Sequence, residues 1–329
     1  MDVSKWLAKG GFLPVPIIIP EPAVDNGAGL VLAFIGKSEP GSGAPPSFTG
    51  LAFVRTGNES EVAGVFHEGT YLDNRLKISG YAAKAWVNLD FYAGNIGALP
   101  YNIDGDFAKA TATYRIGQIP WYAGGSWVVQ NSVVTFEGPG ATPFPPGLSN
   151  RLSGIGPVLE YYSLDNTFTP TSGISARIFA TAYDEAIGSD VDFDKAGASI
   201  FAFTSPTERL TLGGKFMVET VSDGAPFYAL PSISLRGIPA ARYQGQTAIS
   251  TEAEATYQFA NRWRVVGFGG VGWNDHETAG ADRSPKLTFG AGLRYRIARL
   301  FGADLGFDIA RGPEDTVHYI QFGRAWRHF

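Results

Sequence analysis

The side chains able to do acid–base, metal or nucleophilic chemistry are few in this sequence, and they do not gather. Its four histidines, His67, His276, His318 and His328, share no metal-ligand spacing, and cysteine is absent, so thiolate sites and disulfides are excluded. In NDHE, Asn274 to Glu277, a histidine adjoins carboxylates. That segment falls in a predicted loop, where a polar loop is a stronger reading than a weak divalent-cation site. Ser284 and His276 flank the same loop, but no serine has a nucleophile's surroundings. GAGL (Gly27 to Leu30) and GFGGVG (Gly267 to Gly272) have the glycines of a phosphate loop, yet neither precedes a helix whose N-terminus could hold an anion. The expectation is therefore no catalytic residue, no metal and no cofactor. What remains is ISLRGIPAARYQGQ, Ile233 to Gln246, which sets Arg236 in the longest gap between two predicted strands. An arginine taken out of water there needs carboxylates or carbonyls to offset its lost hydration.

The elements that must position this arginine are legible as alternation. In KLTFGAGLRYRI one face carries Leu287, Phe289, Ala291, Leu293, Tyr295 and Ile297, and the other Lys286, Thr288, Gly290, Gly292, Arg294 and Arg296. ADLGFDI and TEAEATYQF alternate in the same way, and a period of two over such lengths means strands with one apolar face. Trp263 and Trp273 bracket one of them. Only 17% of residues are charged, below the roughly 25% of soluble proteins. The polar positions are charged or glycine and do not behave like the lysine-rich surface of a soluble sandwich, whose polar faces meet water.

Long strands, tight turns at one end and longer loops at the other predict an all-β, transmembrane, antiparallel up-and-down β-barrel with apolar outside and charged lumen. Strands are expected near 26–37, 47–57, 60–69, 75–92, 104–117, 120–135, 151–164, 173–185, 191–205, 207–221, 247–259, 262–273, 285–297, 301–311 and 316–326. Single-chain bacterial barrels have even strand numbers, so residues 12–20, tolerable as a seam strand despite Pro14 and Pro16, complete sixteen. Residues 1–25 form a lead segment that includes this strand, and 26–329 the barrel, with a loop of about 222–246 folded into the lumen. Lumen charges are Arg262, Arg264, Arg294 and Arg296; Glu252, Glu254, Asp304 and Asp308 are candidate partners of Arg236. Pro14, Pro16, Gly323 and Trp326 mark a weak seam between the first and last strands, Trp326 ending the last.

No stretch approaches the roughly 18 apolar residues of a membrane helix; FLPVPIIIP is short and broken by proline. MDVSKW does not read as a secretion signal, so an exported protein would have had its signal removed. Net charge is −5 without a basic run, which sets nucleic acid aside.

With these strands in place, Leu235, Arg236, Gly237 and Ile238 resemble the V/I/L-R-G-F/Y loop motif of the BamA/TamA family of outer-membrane assembly barrels (the bacterial surface antigen family), with Ile238 where that family has an aromatic. DNTFTPTSG, Asp165 to Gly173, resembles its D-x-x-D-x-x-F-x-P-x-x-G turn without one acidic position, and GADLGFDIARGPED with YIQFGRAW looks like its last two strands. The resemblance implies a short or excised member without POTRA domains, located in the bacterial outer membrane. It further implies a factor that assists insertion or translocation of outer-membrane proteins or lipids through the seam, with client barrels or a periplasmic accessory protein as partners beside lipid. The family's loop arginine contacts an Asp on a strand that here reads VVGFGGVGW, so Glu254 is the expected substitute. A passive porin-like channel and a structural scaffold or homodimer are the alternatives.

Overall fold

The charged-in, apolar-out inversion read from the alternation is what the computed structural model displays. On the strand Lys286–Ala298, Leu287 and Phe289 are 67% and 64% exposed, while Lys286, Thr288 and Arg294 are buried. The structure describes residues 11–19, 21–36, 47–92, 98–137, 147–275, 284–299, 302–326 and 328. Residues 1–10 of the lead segment, and His276 and Glu277 of NDHE, lie outside them.

Among the described residues sixteen strands follow one another: β1 (Gly11–Ile19), β2 (Gly27–Ile35), β3 (Phe48–Thr56), β4 (Glu61–Tyr71), β5 (Leu76–Tyr92), β6 (Ala98–Arg115), β7 (Trp121–Phe136), β8 (Leu148–Tyr162), β9 (Gly173–Tyr183), β10 (Phe193–Thr207), β11 (Leu210–Val221), β12 (Thr247–Gln258), β13 (Trp263–Asn274), β14 (Lys286–Ala298), β15 (Ala303–Arg311) and β16 (Thr316–Phe322). They form a single sheet in chain order, each pairing antiparallel with the next. The proline-bearing segment is a strand, β1, in unbroken register with β2 from Gly11↔Ile35 to Ile19↔Gly27.

The predicted ring, however, is corrected: the sheet is not closed into a barrel. β1 pairs with β2 and β16 with β15, and among the described residues no ladder joins β1 to β16. The reason lies in the two edges. Pro14 and Pro16 are spaced i, i+2, so both missing N–H groups fall on one edge of β1. The intact β1–β2 register puts that edge on the side away from β2. β16 is only seven residues long, because the chain turns inward at Gly323 (φ 73°) rather than continuing to Trp326.

The sheet curls around residues 222–246. Phe227 of this segment packs on Phe91, Tyr101 and Phe136 of β5, β6 and β7 at ring-centroid distances of 4.8, 5.1 and 5.3 Å. Ile233, Leu235 and Ile238 form a buried cluster further along it. Gly270 and Gly272 on β13 leave the room these side chains occupy, since a Cβ there would stand 2.8 Å from Leu235 Cδ2 and 2.2 Å from Ile233 Cγ2.

Candidate functional site

On β12, Glu252 and Glu254 are two residues apart and therefore share the inner face. Asp308 of β15 stands opposite Gly292 of β14, whose missing side chain leaves its carboxylate space. These three carboxylates surround Arg236. Its Nε donates to Glu252 Oε1 at 2.9 Å, Nη2 to Glu252 Oε1 at 2.6 Å and to Glu254 Oε2 at 2.7 Å, and Nη1 to Asp308 Oδ2 at 3.0 Å. The guanidinium carbon lies 3.5 Å from the ring centroid of Phe268, whose π face favours a cation.

Burial alone would lower the pKa of Arg236, but Glu252, Glu254 and Asp308 raise it above its ordinary value, so the charge is permanent. Lys215, paired in register with Glu252, donates to Ser234 O, and Arg294 grips Asp308 with both terminal nitrogens. Three cations thus face three carboxylates in a site where desolvation makes imbalance costly.

Not every candidate joins this cluster. Asp304 takes Arg264 and Arg296 in a separate group, away from Arg236. Arg262, expected in the lumen, reaches the hydroxyl of Tyr295 at 3.2 Å, beside Trp263 on the outer face. Trp326 neither ends a strand nor lines the seam: it folds inward onto Phe201, Phe203 and Met217, and its Nε1 donates to Glu252 Oε1 at 2.6 Å. Beyond it His328 stacks on Phe201 and shares hydrogen bonds with Ser175 and Ser199 (2.6 and 2.7 Å). Burial, with the cations Arg324, Arg177 and Lys77 nearby, pushes its pKa down to about 3, so it is neutral. The DNTFTPTSG turn braces the tail's point of entry. Asn166 Oδ1 accepts from the backbone of Phe168 and Thr169, and Phe168 O stands 3.0 Å from where a Cβ on Gly323 would lie.

At the loop side, Gly237 N donates to the hydroxyl of Tyr319 at 2.8 Å, and Arg242 Nε donates to Glu314 Oε2 at 2.7 Å while its guanidinium lies over Tyr92. Burial tends to raise the pKa of Glu314, but bonds from Arg242 and Tyr243 and the charges of Arg242 and Lys286 lower it below its ordinary 4.5. A depressed carboxylate pKa contributes stability that is present above the unfolded value and lost as pH falls through the folded one. The difference in melting temperature between wild type and Glu314→Gln should therefore be present at pH 7 and shrink progressively as the pH falls below 4.5. A difference constant across that range would refute the assignment.

Phe268, Tyr319 and Lys215 were not among the expected site residues. Phe268 carries a faint signal, as an aromatic set among glycines on the inner face. Among the described residues no group of three or more His, Asp or Glu could hold a metal ion. Asn274 and Asp275 of NDHE serve neighbouring backbone instead, at Gln244 O (2.8 Å) and Thr247 N (2.6 Å).

Residues 110–327 match the family described as "Putative MetA-pathway of phenol degradation". The chain belongs to this family. No curated protein matches the MetA-pathway family chain. Among solved structures it is similar to a BamA from Haemophilus ducreyi lacking POTRA domains 1–3, at 14% identity and TM-score 0.61, covering 94% of this chain and 68% of that one. It is also similar to CdiB from Escherichia coli (11%, TM-score 0.64, 93% and 61%) and from Acinetobacter baumannii (10%, 0.63, 95% and 59%). The MetA-pathway family chain thus spans about three fifths of the CdiB chains. What it shares with BamA and CdiB is the fold, and the resemblance read from the loop motif holds at that level.

Proposed function

We propose that the chain is a BamA/TamA-like outer-membrane protein that assists insertion or translocation of outer-membrane proteins, or lipids, at the seam between β1 and β16. The observation that carries this reading is the unladdered seam beside a segment clamped inside the sheet through Arg236. Each free edge offers backbone donors or acceptors to which a client strand can add. The edge strands have nine and seven residues against 17 and 18 in β5 and β6, so lipid packed against the seam meets a shorter apolar wall and thins there.

The outer face suits a bilayer. Trp121 with Tyr161 and Trp263 with Tyr295 pair at the tight-turn ends of their strands. Lys84, near Asp104 and Asp106, lies eight residues on from Leu76, about 26 Å along the strand. With strand tilt, that is close to the far rim of a roughly 25 Å apolar band, where charges meet headgroups. The porin-like alternative needs an open interior, whereas residues 222–246 run from β5–β7 to the β12–β15 side.

The test is the folding rate of a small unrelated barrel into liposomes with and without this protein. A second arm crosslinks Ile18→Cys to His318→Cys with a bis-maleimide, unambiguous because the chain has no cysteine. Acceleration by the free protein, abolished by the crosslink, is the expected result. No acceleration would overturn the seam mechanism, and ion conductance across a planar bilayer would then favour the channel.

A further inference from the structure

The inward-folded segment touches the hairpins on both sides of the seam, and it does so unequally. On the β16 side the contact is close and multiple. Gly237 O would lie 1.9 Å from a Cβ on Gly312 in the β15–β16 turn, Tyr319 receives Gly237 N, and Glu314 receives Arg242 and the Tyr243 hydroxyl at 2.8 Å. On the β1 side, Glu21 in the β1–β2 turn accepts from the backbone N of Ala240 through Oε1 at 3.0 Å. Glu21 and Glu314 belong to hairpin turns at the same end of the sheet, and Ala240 and Arg242 span them.

We propose that Glu21 is the release contact of the seam: the carboxylate by which the β1–β2 hairpin hangs on a segment that is otherwise fixed to the β15–β16 hairpin. The inference rests on the seam reading given above. When the seam parts at its loop end, the segment stays with β16 and the Glu21–Ala240 bond breaks. The geometry favours this side for three reasons. The bond is one charge-assisted contact on a flexible side chain, whose carboxylate also accepts from Ala23 N at 3.0 Å and so keeps a partner after release. Pro14 and Pro16 leave β1 short of donors toward β16. The β16 side, by contrast, combines backbone-to-backbone proximity with a two-pronged arginine–carboxylate pair and the stacking of Arg242 on Tyr92 of β5. Glu21 therefore acts as a positioning residue for the edge strand.

The proposal is tested by double electron–electron resonance in phospholipid vesicles, with nitroxides at the exposed positions 18 and 318 near the loop end of the seam and, separately, at 12 and 320 toward its other end. Glu21→Ala should broaden the 18–318 distribution and shift it outward by about one strand spacing, ~5 Å, with a smaller change at 12–320. Glu21→Gln keeps an oxygen acceptor and should match wild type. Glu21→Lys, which removes the acceptor but keeps an aliphatic stem, should behave as Glu21→Ala if the alanine variant refolds poorly. An 18–318 distribution unchanged in both Glu21→Ala and Glu21→Lys overturns the proposal. The readout is a distance within the protein alone, so its failure and failure of the client-folding assay are separate results.

Discussion

Arg236→Ala loses about 3–5 kcal/mol of stability, enough to deplete the folded form of a protein whose margin is typically 5–15 kcal/mol. The side chains of Glu252 and Asp308 are 0% exposed and that of Glu254 16%. Without the guanidinium, three carboxylates are left with two cations, Lys215 and Arg294, and the ring of Phe268 loses its cation. Arg236→Lys should recover part of the loss, because one ammonium cannot serve oxygens on three residues in the plane a guanidinium spans. Arg236→Met combined with Glu252→Gln removes one charge of each sign and should be more stable than Arg236→Ala alone. Urea titration followed by tryptophan fluorescence, with heat-modifiable gel migration as the folding check, measures all three. A loss below about 1 kcal/mol in Arg236→Ala, the scale of an exposed ion pair, would mean that the cluster does not hold the segment.

The second large effect is expected where two glycines meet. Gly312→Ala would bring a Cβ to 1.9 Å from Gly237 O, and Gly237→Ala would place one 3.0 Å from Gly312 N at a φ of 96°. Overpacking and a left-handed non-glycine residue each cost about 1–3 kcal/mol. Either change pushes the motif away from the β15–β16 turn and strains the reach of Arg236 to Asp308. Both act on one contact, so the double variant should cost little more than the worse single one. Trypsin cleavage within residues 233–246 should accelerate in each. Full additivity, with unchanged cleavage, would show that the two glycines do not form a shared interface.

How much of this was legible in the sequence depends on what alternation can encode. It told which side chains share a face, and fifteen of the strands could be placed from it; β1, interrupted by its prolines, is added only because single-chain barrels have even strand numbers. It could not tell whether the ends meet, because closure depends on which edge of β1 the prolines strip of donors, and that requires the register with β2. The continuation of alternation through HYIQFGRAW misled for a related reason: β15 begins at Ala303 and already pairs Leu305 with Phe322, so little partner strand is left beyond Gly323. Alternation also fixes the face without fixing height. Glu252 and Asp304 both point inward, yet only Glu252 lies level with Arg236, while Asp304 is level with Arg264 and Arg296. The outward aim of Arg262 arises because it precedes β13 and is free of that strand's phase.

The inward tail also fixes an order of events in folding. Trp326 meets Glu252 across 74 residues of chain, and His328 meets Ser175 across 153. Neither contact has a docking surface until β9 to β12 have paired, and closing such long loops is costly until that surface exists to repay it. The wall must therefore assemble before the tail can be stowed, making the last described residues the last to consolidate. Glu252 then records both stages in one carboxylate: the segment docks through Arg236, and the tail completes the site through the indole of Trp326.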